Sequence, residues 1–164
     1  MDLATIKAGL DLAKAVKEWV PSNRDDHTVR QQICDALRTF YFMPRGIVLL
    51  LKKVDADERI SEEELSQALL DFNDREPAVA RASDHLLFER LIRERGLSLR
   101  AIQNLELVRA GKISLRRDIQ REINYYGRGR TKPNKERVRL LLSEIDRLNT
   151  LIIEVEEAVR AHQR

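Results

Sequence analysis

Few side chains in this 164-residue chain are of types that do covalent or metal chemistry. His27, His85 and His162 are its only imidazoles and stand far apart in sequence, and Cys34 is its only thiol. Cys34 cannot form an intramolecular disulfide. With Ala36 and Leu37 beside it on a predicted helix, it reads as a small buried apolar residue. Arg81, Asp84, His85 and Glu89 supply the acid, base and cation that proton transfer needs, and would form a site only if the fold gathered them into a cleft. No glycine-rich phosphate loop and no nucleophile turn occurs. The expectation is a chain that is not an enzyme, with no catalytic residue, no metal and no cofactor.

Charge is more informative. Residues 90–139 contain fifteen Lys or Arg against five Asp or Glu, a net of +10, while residues 54–89 contain three Arg against eleven acids, a net of −8. The formal charge of +3 for the whole chain therefore conceals two opposed blocks. Such sorting makes a local field that draws a partner of opposite sign. Within the basic block, Arg109, Lys112, Arg116, Arg117 and Arg121 lead into Tyr125-Tyr126-Gly127-Arg128-Gly129-Arg130-Thr131-Lys132-Pro133. The glycines open that loop and expose its amides, so Arg128, Arg130 and Lys132 could clasp a phosphate chain or an acidic protein surface. The acidic block is an internal competitor for the same cations.

Three stretches resemble known motifs. Leu91-Ile92-Arg93-Glu94-Arg95-Gly96-Leu97-Ser98-Leu99-Arg100-Ala101-Ile102-Gln103-Asn104-Leu105 resembles a helix-turn-helix in its Gly96 turn, its Leu97-Ser98 pair and its apolar Ile102 and Leu105. The resemblance implies that Leu99, Arg100, Gln103 and Asn104 face a DNA groove, with Arg100 and Gln103 pairing with base edges. It departs from the motif at Ile92, usually small, and at Arg95, usually apolar, and capping alone would also place Gly96 and Ser98. Asp55-Ala56-Asp57-Glu58-Arg59-Ile60-Ser61 invites comparison with a calcium-binding helix-loop-helix, yet the sixth and twelfth positions are Ile60 and Ser66 where that loop has Gly and Glu. Those acids read instead as a polar turn ahead of a helix N-terminus, where negative charge is favoured. Arg81 and His85 loosely resemble the Arg-to-His pair of helical ribonucleases, at a shorter separation.

The elements that must carry these residues are helical, since apolar positions recur at spacings of three and four and no segment alternates. A first helix, about Asp2 to Trp19, sets Leu3, Ile6, Leu10, Ala13, Val16 and Val20 along one side, with Lys7, Lys14 and Lys17 opposite, and stops at Pro21. A second carries Val29, Ile33, Leu37 and Phe40 to a break at Met43-Pro44. Gly46 to Val54 is apolar all round, which predicts burial in the middle of a bundle. Ser61 and Glu64 have the spacing of a capping box, and Ile60 and Leu65 that of a hydrophobic staple. Further helices are predicted over 77–96, 98–111 and 114–127, each closed by Gly. In the last helix, about Asn134 to Ala161, Val138, Leu141, Ile145, Leu148, Ile152, Val155 and Val159 make an unbroken seam. Leu142 and Ile153 widen it on one side, and Leu140, Leu151 and Ala158 on the other. That width implies several neighbours within the domain, or the domain on one side and a partner on the other.

Composition agrees: 43% hydrophobic and 35% charged residues, with six Gly and four Pro, suit a soluble, charge-covered helical protein. The aromatic share of 5% is low for a module that stacks bases on rings. Asp2, Lys7, Asp11 and Lys14 interrupt any signal-peptide core, and the apolar run from Gly46 to Leu51 falls well short of the ~20 residues a span needs, so a cytoplasmic location with no membrane span is expected. Membrane contact by the amphipathic first helix is a minor third reading.

These features predict an all-α bundle of about seven or eight helices in one domain, 1–164. Its parts are a bundle at 1–89 carrying the acidic segment, a basic helix-turn-helix-like part at 90–133, and a long helix at 134–162. The expected role is a non-catalytic interaction or regulatory module that binds a protein partner or a second copy through the basic block and the last helix. On that reading Leu140, Leu142, Leu151 and Ile153 contact the partner, and Arg100, Gln103, Arg116, Arg117, Arg121, Arg128, Arg130 and Lys132 meet its acidic groups. The alternative is a nucleic-acid-binding regulator that uses 91–105 and the loop 128–132.

Overall fold

The computed structural model describes residues 3–19, 27–73 and 132–161, together with the single positions 119, 123, 125 and 126. Five helices lie among them: α1 (Leu3–Trp19), α2 (His27–Tyr41), α3 (Arg45–Asp55), α4 (Glu62–Asn73) and α5 (Lys135–Ala161). No strand occurs among the described residues, and the fold is all-α. The expected count of seven or eight helices is not carried by these residues. Of the further helices predicted, 77–96 and 98–111 lie outside the described residues, whereas Ile119, Ile123, Tyr125 and Tyr126 of 114–127 are helical.

α5 is the axis of the bundle, and α1, α2 and α3 all pack against it. Its seam residues Val138, Leu141, Ile145, Leu148, Ile152, Val155 and Val159 are all buried. Three neighbours need a wider apolar stripe than one partner strand does, and Leu142, Leu151 and Ala158 on the two flanks pack half-buried against the same core. Asn134 caps the helix, its Oδ1 accepting the Arg137 amide at 3.2 Å.

α1 buries Ile6, Leu10, Leu12, Ala13 and Val16 against α5 and α2, and leaves Lys7, Lys14 and Lys17 exposed. The apolar side that membrane contact would have used is thus occupied by protein. Gly9 lies on the buried side, where the Tyr41 ring covers it: an added Cβ would stand 2.6 Å from Tyr41 Cδ1. α2 turns Arg30, Cys34, Leu37 and Tyr41 inward. That is one position round from the predicted face of Val29, Ile33, Leu37 and Phe40, whose side chains other than Leu37 lie outside the described ones.

α3 is a correction to the sequence reading. It is not wrapped in protein: Ile47, Leu50, Leu51 and Val54 are buried, while Leu49 is 48% exposed and Lys52 is also exposed. Spacings of three, four and seven place the four buried residues on one stripe, so a six-residue apolar run still builds a helix with an outer face. α3 begins at Pro44, which fixes φ and has no amide to donate. It ends in a Schellman motif, with the Glu58 amide on the Lys53 carbonyl at 2.9 Å and the Asp57 amide on the Val54 carbonyl at 3.3 Å. Asp57 occupies the left-handed position, φ 57°, where glycine is usual.

The corner between α2 and α3 is fastened to α5 by one side chain. The Met43 amide donates to Asn149 Oδ1 at 2.8 Å, and Asn149 Nδ2 donates to the Met43 carbonyl at 3.0 Å.

Replacing Gly9 with Ala raises helix propensity by about 1 kcal/mol, yet should destabilise the protein by about 1–3 kcal/mol through overpacking on the buried Tyr41 ring. Urea unfolding of the variant and the parent reads the sign.

Candidate interaction surface

The cations at the end of the basic block meet the acidic turn after α3. Arg139 Nε donates to Asp55 Oδ1 at 2.7 Å, and Lys135 pairs with Asp57. Arg137 is also engaged in an interaction of its own. Lys132 is exposed just ahead of α5. Of the other residues expected to meet an acidic partner or nucleic acid, Arg100, Gln103, Arg116, Arg117, Arg121, Arg128 and Arg130 lie outside the described residues. So do Leu99, Asn104, and the group Arg81, Asp84, His85 and Glu89.

These pairs explain the turn. Asp55 and Asp57 face cations of α5, which offsets the cost of an aspartate in left-handed backbone at position 57. Opposite-sign pairs recur at the other end of α5. Lys17 of α1 donates to Glu154 at 2.7 Å, and Arg38 Nη1 donates to both Glu156 oxygens at 2.7 and 2.8 Å, its guanidinium lying over the Phe42 ring.

Between α3 and α4 lies a groove of about 710 Å³ with Leu49, Leu50 and Ala68 in its lining. Lys53 and Glu64 pair across it. The α4 start is the capping box expected from sequence: the Glu64 amide donates to Ser61 Oγ at 3.1 Å, and the Ser61 amide donates to Glu64 Oε2 at 3.0 Å. Ile60 and Leu65, at the two staple positions, each pack half-buried against the core. The Lys53 hydrogen bond, helped by the Ser61 amide, holds the Glu64 carboxyl down at about 2.

A second groove, about 610 Å³, joins the acidic turn to Tyr126 and Pro133. A third, about 390 Å³, lies between α2 and the end of α5, with Cys34, Arg38, Ile153 and Glu156 in its wall. The Cys34 side chain is buried, and burial first, then the charges of Glu156 and Asp35, push its thiol up to about 12. A thiol so far from ionising is a packing residue rather than a nucleophile.

Of the four apolar residues expected to contact a partner, Leu142 and Leu151 are half-buried against the core, whereas Leu140 is 48% and Ile153 42% exposed. Sequence reasoning anticipated the acidic block as a counterpart for the basic one but not which residues pair, and it missed the exposed Leu49 and the Asn149 clamp. The one signal available was a lone Asn beside an otherwise apolar stripe. Among the described residues, no helix is long and apolar enough to cross a membrane. Comparisons of the chain with protein-family models, with curated proteins and with solved structures find no match.

Stability should depend on pH at both ends. The folded Glu64 carboxyl sits at about 2 against an ordinary 4.5, so its contribution is complete above pH 4.5 and is lost as pH falls toward 2. Burial raises the Tyr41 hydroxyl from 10 to about 12, so the unfolded chain releases that proton first and stability falls as pH climbs from 10 to 12. Unfolding midpoints across pH should decline at both limits. Glu64→Gln should shrink the acid limb, and Tyr41→Phe should shrink the alkaline one without abolishing it, because the buried Cys34 thiol, raised from 9 to about 12, contributes a loss of the same sign.

Proposed function

We propose that this chain is a non-catalytic helical interaction module that binds a protein partner or a second copy of itself. What supports this is the exposure of Leu140 and Ile153 on an axial helix whose seam is already covered by its own domain. Large aliphatic side chains about half-exposed on the central element gain from burial against something else, at roughly 25 cal/mol per Å² covered. The two are thirteen residues apart. At about 100° per residue they lie on different flanks, so a flat partner meets one of them and not both.

Basic side chains add sign to such a contact. Lys132 is exposed, and the sequence from Arg100 to Arg130 carries further positive charge. The nucleic-acid alternative has less support, because Lys135 and Arg139 already hold carboxylates of their own chain. A phosphate backbone would have to displace Asp57 and Asp55 before those cations could neutralise it and release its condensed counterions.

Sedimentation velocity at two protein concentrations, on the parent and on Leu140→Glu and Ile153→Glu, tests self-association. A larger species that grows with concentration and is lost in one variant is the expected result, and a strict monomer throughout removes the second copy as partner. Tight binding to a random DNA duplex that collapses as salt rises would transfer the proposal to nucleic acid.

A further inference from the structure

We infer that the groove between α3 and α4 is a docking site for one amphipathic helix of a partner protein, apolar toward Leu49 and carrying Lys or Arg along the flank that faces α4. This deepens the interaction reading above and rests on it.

The groove, about 710 Å³, has a mostly apolar lining suited to the apolar face of such an occupant. Leu50 and Ala68 are buried in the core and close the floor, while Leu49, nearly half exposed, stands at the edge as an anchor. Helices seat in grooves of this kind by apolar side chains at spacings of three, four and seven. Leu140 and Ile153 have less to offer by themselves. The groove that Ile153 borders is smaller and its lining is more polar.

Charge sets the orientation of the occupant. Lys53 and Glu64 neutralise each other across the groove, which leaves Lys52 on the α3 bank and Glu58 and Glu63 at the turn and on the α4 bank. α4 contains no Lys or Arg at all, and its first turn is Glu62, Glu63 and Glu64. A helix with cations on the flank nearest α4 meets complementary charge there. Reversed, it sets like charges together and is rejected. The groove is thus specific for sign as well as for apolar spacing.

The test is selection of a phage-displayed random peptide library on the full chain, followed by fluorescence anisotropy of enriched peptides against the parent, Leu49→Glu and Glu63→Lys. Leu49 is an outer-face residue, so Leu49→Glu should keep the parent's circular dichroism and unfolding midpoint, which are measured alongside. The expected result is enrichment of helix-spaced apolar sequences bearing Lys or Arg, whose affinity falls at least about tenfold in Leu49→Glu. Glu63→Lys should weaken them too, with rescue when the peptide's facing cation is replaced by Glu. No enrichment of such sequences, or equal binding to the parent and Leu49→Glu, overturns the groove. If enriched peptides are lost instead with Leu140→Glu or Ile153→Glu, the interaction reading stands and the groove does not.

Discussion

Where α2 gives way to α3, the chain turns through Met43 and Pro44, both buried, and the Met43 amide and carbonyl fall outside either helix. Backbone polar groups in such a place cost about 1–3 kcal/mol each if left without partners. The Asn149 carboxamide supplies an acceptor and a donor together, pairing with the corner as a second peptide unit would. Because the amide has one orientation that satisfies both groups, it fixes α5 along its axis relative to α2 and α3. The rest of the described structure is in register with that one contact.

Register matters for α5 because its charges are sorted along it. Lys135, Arg137 and Arg139 lie toward the N-terminal end, beside Glu136, and Glu154, Glu156 and Glu157 toward the C-terminal end, ahead of Arg160. Neighbours of opposite sign face each group. Asp55 and Asp57 come to the basic end, and Lys17 and Arg38 to the acidic end. Exposed pairs of this kind add only about 0–1 kcal/mol each. Their consequence is positional: a shift of α5 by one turn would draw Glu154 and Glu156 away from Lys17 and Arg38. It also reduces the field of the sorted blocks, since the basic block ends against the acidic one.

The parts of this architecture written in local spacing were legible from the residues. All seven seam positions of α5 are buried as their periodicity predicts, and the Ser61–Glu64 box forms with both of its reciprocal hydrogen bonds. What depends on distant partners was not legible. The flanking Leu142 and Leu151 look like surplus for a partner until three helices are seen to surround α5. Gly46 to Val54 looks buried all round because a run of aliphatic residues hides which of its turns face outward. Asp57 carries no glycine signal for its left-handed turn, and its cation lies far along the chain at position 135. For the candidate surface, sequence named Leu140, Leu142, Leu151 and Ile153, of which Leu140 and Ile153 are exposed. The α3–α4 groove was not visible, since nothing local says that α4 folds back beside α3.

The Asn149 clamp is best tested by equilibrium unfolding of Asn149→Leu, which keeps the number and branching of side-chain heavy atoms while removing both hydrogen bonds. With the Met43 amide and carbonyl stranded, the variant should lose at least about 2 kcal/mol, against no more than about 0.5 kcal/mol for the exposed neighbouring control Thr150→Ala. An Asn149→Leu protein as stable as its parent would contradict the account, and α5 would then owe its register to the seam alone.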